Sequence, residues 1–280
     1  PAWDLVFESS KTNSIKSNMR FLGNSNSVTI EAQRGCPYSC SYYCCYPNIQ
    51  GKKIRFRSAL NVVKEMIHHK KTLNAKNFTF RDPVFSISKR HVEAILNEII
   101  KSKEKFNICI ETQLKDIDDE MLLLMKNAGV KLIYIGVESS EKEVLDSAKR
   151  KNLENKTIFE KVNYIEKMGI MIKCNYILCL PGDNYTTAKK TINFAKKINS
   201  SFAQFTIFTP MPKTPAWLEY FPKLNFDRFE EFTMWDLVIN HDRITKEQSI
   251  KLKNKAAYYY TSLRYIFTRL PRVLQNIIFN

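Results

Sequence analysis

The sequence predicts an α/β fold built on a parallel sheet, with a helical extension at its C-terminal end. Three observations predict it. Six short runs rich in Val, Ile, Tyr and Phe recur along residues 27–208, five of them are followed by a helix-periodic stretch, and beyond Pro222 the strand signals cease. Alternating β and α at this spacing gives right-handed crossovers and a parallel sheet. An open doubly wound sheet and a partial barrel both satisfy the pattern. In both, ligands gather at the C-terminal ends of the strands.

The elements follow in order. SVTIEA (27–32) reads as the first strand and runs into a cysteine-rich loop. A helix is expected at about 58–73, with Leu60, Val63 and Ile67 on its apolar face. NFTF (77–80) precedes a helix carrying Val92, Ile95, Leu96 and Ile99, and FNICIE (106–111) one carrying Met121, Leu124 and Met125. VKLIYIGVE (130–138) leads to helices near 141–148 and 155–168. IMIKCNYILCL (170–180) leads to a helix at about 185–198, and FAQFTIF (202–208) closes the series. Thr245 and Gln248 have capping-box spacing, and a stripe from Leu252 and Ala256 through Tyr259, Leu263 and Leu270 reads as one helix face.

Composition sets outer bounds. With 44% hydrophobic and 12% aromatic residues, the 280-residue chain can bury a large core and is not disordered. No apolar run approaches the roughly 20 residues of a membrane-spanning helix. No secretory leader is legible, and the chain opens on Pro1, as an excised domain would. The net charge of +16 is concentrated in two segments, 52–76 and 241–280. Basic faces of that kind attract anionic substrates, nucleic acid or membrane surfaces, and charge alone does not choose among them.

The cysteines are more informative. Seven thiols, an odd count without a leader, argue for a reducing compartment, hence the cytoplasm, rather than a disulfide framework. Cys109, Cys174 and Cys179 lie in apolar runs and read as small buried hydrophobes. Cys36, Cys40, Cys44 and Cys45 instead crowd one loop, RGCPYSCSYYCCYP, where metal ligation is the stronger reading. Structural zinc wants four ligands, commonly as two separated pairs. No second pair follows, and His68 and His69 fall on a predicted helix. Three thiolates suit a 4Fe–4S cluster that keeps one iron open.

On the strength of this loop after the first strand, the chain resembles the radical S-adenosylmethionine superfamily over residues 27–220. The resemblance implies a partial (β/α)6 barrel of TIM type. It also implies a 4Fe–4S cluster and S-adenosylmethionine, cleaved reductively to methionine and a 5′-deoxyadenosyl radical. The family's usual CxxxCxxC spacing would put the third ligand at position 43, where this chain has Tyr43. The ligands implied here are therefore Cys36, Cys40 and Cys44, with Cys45 as a substitute and Tyr43 supplying the ring near adenine. Arg81 and Asp82 of FRDPVF match the family's position for the methionine amino group. Glu138 of IGVES matches a ribose- or amino-contacting position, and Arg150 a partner for the cofactor carboxylate. LCLPGD (178–183) and FTPMPKTP (208–215) resemble the strand ends that close around adenine. Without the resemblance, Asp82 and Pro83 simply end a strand, Glu138 caps the next helix and Arg150 is a solvated charge.

A narrower likeness is to radical enzymes that carry an upstream cobalamin-binding domain. RGCPYSC, GKKIRFRSALNVVKEM and FRDPVF resemble their radical domain, and PAWDLVF the linker that enters it. No D-x-H-x-x-G signature occurs, so any cobalamin domain lies outside this chain. The expected organisation is a linker at 1–26, the radical barrel at 27–220 and a helical extension at 221–280. The expected activity is radical cleavage of S-adenosylmethionine, with cobalamin-dependent methyl transfer to a small molecule, glycan or lipid as its extension. A flavodoxin or ferredoxin would be the electron donor, and nucleic acid is not an expected partner. Two rivals remain from the residues: a tRNA-modifying methylthiotransferase, favoured by the basic segments, and a zinc-stabilised binding module.

Overall fold

A computed structural model describes residues 26–226, 229–261 and 266–267. Six parallel strands form one sheet in chain order: β1 Asn26–Ile30, β2 Ala75–Phe80, β3 Asn107–Thr112, β4 Val130–Glu138, β5 Met171–Leu178 and β6 Phe202–Ile207. The sheet curls into a half-barrel with helices on its outer face, the α/β partial barrel expected. The strand set agrees with the sequence reading to within a few residues at each end. The expected linker at 1–26 falls almost wholly outside the described residues.

The helices are α1 Tyr46–Gln50, α2 Ala59–Leu73, α3 Lys89–Lys101, α4 Asp119–Ala128, α5 Lys142–Ser147, α6 Asn155–Lys167, α7 Tyr185–Ile198, α8 Pro215–Tyr220 and α9 Lys246–Thr261. Several carry caps written in the sequence. Asp118 accepts a hydrogen bond from Met121 N at 2.8 Å, and Asn184 forms a reciprocal capping box with Thr187 on α7. The expected box before α9 is also formed: Thr245 Oγ1 accepts from Gln248 N at 3.2 Å, and Gln248 Oε1 from Thr245 N at 3.1 Å.

One helix turns differently from expectation. In α2 the buried residues are Val62, Val63, Met66 and His69, while Leu60 is 48% exposed. The Leu60–Val63–Ile67 face is therefore rotated from the true core face. Met66 and His69 extend the buried stripe where hydropathy alone did not reach. His69 faces Glu65 of its own helix, Nε2 to Oε1 at 3.5 Å.

Period-two alternation divides the strands. Ile108, Ile110, Ile133, Ile135, Ile172 and Cys174 are buried against the helices in the main core. Glu111, Tyr134, Gly136, Lys173 and Asn175 alternate with them on the inner face and are only half-buried. A second core joins the C-terminal segment to the last strands. Leu237, Val238, Ile239, Ile244, Leu252 and Ala256 pack with Leu178, Ile192 and Phe208, so α9 lies across α7 and β6. Among the described residues, 222–245 holds short 3-10 helices at Phe221–Lys223 and Phe229–Glu231, turns and an isolated antiparallel bridge, Leu224 to Ile239, rather than α-helix alone. The remainder of the expected stripe, from Leu263 to Leu270, lies mostly outside the described residues.

Candidate active site

The cysteine loop leaves the C-terminal end of β1 and is held there by Asp82. Its Oδ1 accepts from Ala32 N at 2.9 Å and Gln33 N at 2.5 Å, and Gln33 Nε2 donates to Val84 O. Asp82 is fully buried, and burial raises its carboxyl to about 7 against the pull of these two amides. It braces the loop's entry and does not face an open site. A short antiparallel ribbon follows, Gln33–Arg34 against Arg55–Phe56. Gly35 then takes φ +100 with Lys53 O against it, a place where a Cβ would strike backbone. Cys36 N donates to Gly51 O at 3.0 Å, which ties the start of the loop to the end of α1.

Between these ties the chain makes a turn of 3-10 helix at Ser39–Tyr42. Cys40 O accepts from Tyr43 N at 3.2 Å and Cys44 N at 3.0 Å. That turn spaces Cys40 and Cys44 one helical step apart and accommodates the extra residue at Tyr43. Cys36 is buried, Cys40, Cys44 and Cys45 are half-buried, and all four are free thiols. Burial raises the Cys44 thiol to about 12, and its neighbours Cys40, Cys45 and Cys36 add to the effect. Burial likewise raises Cys36 and Cys40, while the Arg150 charge works to lower both. The thiols therefore sense one another. Among the described residues no three His, Cys, Asp or Glu side chains already stand at metal-binding geometry. Binding a metal group through these thiols would release their protons.

The rim opposite the loop is built by the end of β4. Glu138 takes φ +63, a left-handed conformation that costs energy in a non-glycine residue. It does not cap the next helix, whose N-cap is Glu141. Its carboxylate instead lies 3.9 Å from Arg150 Nη2, with side-chain exposures of 12% and 10%. Arg150 is no solvated charge: Nη2 also donates to Gly136 O at 3.3 Å, its guanidinium reaches Cys40, and its buried Nε finds no acceptor. Tyr43 hydrogen-bonds Glu138, so the position where a third thiol was expected contacts the rim directly. Burial raises Glu138, and Arg150 opposes that. A cavity of about 260 Å³ opens beside this group, lined by Tyr38, Cys40, Gln113, Gly136, Arg150 and Asn152.

Arg81 is exposed at the end of β2, where its charge works to lower the carboxyl of Glu111 on the neighbouring strand β3. Glu111 and Lys173 were missed in the sequence. Burial raises Glu111 to about 7, with Arg81 opposing, and lowers Lys173. Their signal was legible: in FNICIE and IMIKCN each charge occupies the phase opposite to the buried isoleucines.

A family model described as the radical SAM superfamily matches residues 30–195, more than half of the chain. The chain belongs to the radical SAM superfamily. Membership makes it a radical SAM enzyme, and the family implies a 4Fe–4S cluster and S-adenosylmethionine. An uncharacterized methyltransferase of Pyrococcus horikoshii is 28% identical over 89% of the chain and 53% of its own length. The bacteriochlorophyllide d C-12(1)-methyltransferase of Chlorobaculum tepidum is 28% identical over 75% of the chain and 44% of its length. This radical SAM chain thus spans about half the length of these relatives. Among solved structures, the methyltransferase TsrM of Kitasatospora setae, with cobalamin and a 4Fe–4S cluster bound, superposes with a TM-score of 0.65 at 20% identity, over 70% of this chain and 37% of that one. Coproporphyrinogen III oxidase of Escherichia coli gives 0.60 at 15% identity over 92% and 61%. These likenesses show the radical SAM fold. Among the described residues no helix is long and apolar enough to cross a membrane.

Proposed function

We propose that the chain is the radical-generating core of a cytoplasmic methyltransferase. Cys36, Cys40 and Cys44 would hold a 4Fe–4S cluster, with Cys45 as substitute for the third. When bound, the cluster supplies one electron to S-adenosylmethionine and opens it to methionine and a 5′-deoxyadenosyl radical. The observation that carries this reading is the contact of Arg150 with both Cys40 and Glu138, which joins the cysteine loop after β1 to the end of β4.

The chain's own residues provide binding and orientation. Arg150, with a buried donor unmet, suits the cofactor's carboxylate, and Glu138 suits its ammonium or ribose hydroxyls. Tyr43 flanks that pair and offers a ring for adenine. Arg81 stands at the neighbouring strand end. Asp82 serves at one remove, by holding the backbone from which the cysteines hang. Gly136 keeps the floor beneath Glu138 clear.

Methyl transfer is supported by the methyltransferases among the similar proteins, and cobalamin by the ligands in TsrM. A cobalamin domain would lie outside these 280 residues, in the half of the relatives' length that the chain does not span. The substrate is a small molecule, glycan or lipid, and a flavodoxin or ferredoxin supplies the electron. Anaerobic reconstitution should give about four irons per chain and, after reduction, 5′-deoxyadenosine. A Cys36→Ala protein that still formed 5′-deoxyadenosine would sink the reading.

A further inference from the structure

The basic segment that begins at Lys52 lies against the cysteine loop. Gly51 O accepts from Cys36 N at 3.0 Å, Gln50 Oε1 accepts from Gly35 N at 3.1 Å, and Lys53 O stands where a Cβ on Gly35 would go. Arg55 fastens the segment from outside, donating to Gln50 O at 2.7 Å and to Lys53 O at 3.2 Å, and it is the register partner of Arg34 in the ribbon. The loop is therefore approached from two sides. Arg150 and Glu138 reach it at Cys40, and the basic segment reaches it at Gly35 and Cys36, toward the β1 edge of the sheet.

The second side carries an unbalanced positive charge. Arg34 is matched by Glu31 at 2.7 Å, and Arg57 by Glu65. Lys52, Lys53, Arg55 and Lys64 are exposed, and among the described residues no carboxylate lies within 4.0 Å of any of them. An exposed cation needs no partner in water, so the fold itself does not explain four of them beside one loop. Ile49, Phe56 and Leu60 stand exposed in the same stretch. Charge with apolar surface inside it suits a small, transient protein contact steered by electrostatics. The partner is narrowed by what lies beneath. Cys36 is buried, so a molecule on this face does not touch its sulfur. It can pass an electron through the intervening backbone, and nothing larger.

We propose that the face of Lys52, Lys53, Arg55 and Lys64 docks a small acidic protein that carries one electron, and that the electron enters at Gly35 and Cys36. The carrier loses one electron and the cluster gains it. No bond forms or breaks, and no proton moves with it. This assignment rests on the proposed function, which puts a reducible cluster on that loop. The electron then arrives from the β1 edge, and the rim of Glu138 and Arg150 stays free for S-adenosylmethionine.

Titration of flavodoxin and of a 2Fe–2S ferredoxin onto the reconstituted protein, at about 0.05 M and about 0.5 M salt, tests the proposal. At least one carrier should bind, and should lose affinity at least about tenfold at the higher salt. Lys52→Glu with Lys53→Glu should weaken that binding at least about tenfold. The same pair should slow 5′-deoxyadenosine formation driven by the carrier and leave unchanged the formation driven by dithionite, which needs no docking. Lys52→Arg with Lys53→Arg should keep wild-type affinity. Lys126→Glu with Lys167→Glu makes the same change in charge at the C-terminal ends of α4 and α6, far from the loop, and should weaken binding much less. Failure of both carriers to bind, equal losses in the two glutamate pairs, or binding of tRNA to this face in preference to both carriers would overturn it. A wild type that binds a carrier here yet forms no 5′-deoxyadenosine with dithionite counts against the proposed function only.

Discussion

Gly136 lies beneath the carboxylate of Glu138, so that a Cβ on Gly136 would strike Glu138 Oε1 and crowd Arg150 Nη2. The rim pair has its geometry because a hydrogen occupies that spot. Gly136→Ala should push Glu138 and Arg150 off their positions at a cost of about 1–3 kcal/mol. Thermal unfolding would read the cost, and calorimetry would show weakened S-adenosylmethionine binding. Wild-type affinity in the alanine variant would mean that the pair does not hold the cofactor.

Single cysteine substitutions should separate the ligands from the bystander. Cys36→Ala, Cys40→Ala and Cys44→Ala are each expected to lose the iron and sulfide bound on anaerobic reconstitution. Cys45→Ala, at the N-cap of α1, should retain them. If Cys44→Ala kept a full complement and Cys45→Ala did not, the third ligand would be Cys45.

Cys174 and Cys179 are equally buried, yet Cys179 takes φ +61 whereas Cys174 lies within β5. Valine prefers extended backbone and is strained in the left-handed region. Cys179→Val should therefore destabilise the fold by about 1–2 kcal/mol more than Cys174→Val, measured by denaturant unfolding. Equal losses would show that the turn at Cys179 can relax.

Asp82 predicts a pH dependence. Its folded carboxyl, raised to about 7 from an ordinary value of 3.8, holds a proton that the unfolded chain has already released. The native state thus binds more protons between those values, and stability falls as pH rises from about 4 to about 7. Asp82→Asn, which cannot ionise, should flatten that part of the curve in thermal melts. A wild-type slope unchanged by the substitution would place the ionisation elsewhere, with Glu111 and Asp183, both raised by burial, the next groups to replace.

Most of the fold was written locally. Each strand of the six-stranded sheet announced itself by a hydrophobic run and each long helix by periodicity or a cap, while the short ribbon of Gln33–Arg34 with Arg55–Phe56 left no such signal. The face of α2 needed tertiary information, because His69 is buried by contacts from other elements that no hydropathy pattern encodes. At the site, the four loop cysteines were visible as a cluster, whereas the contact of Glu138 with Arg150 appears only in the folded chain. The bracing bonds of Asp82 were not legible: they reach back some 50 residues to Ala32 and Gln33, a separation at which spacing says nothing. Gly136 was passed over because the need for a missing side chain appears only once Glu138 and Arg150 are in place.

The capping box of Thr245 and Gln248 fixes where α9 begins, and the second core fixes where it lies, across α7 and β6. α9 therefore acts as a clasp: it fastens the last strand of the half-barrel to the helix before it, while β1, at the far edge of the sheet, owes it nothing.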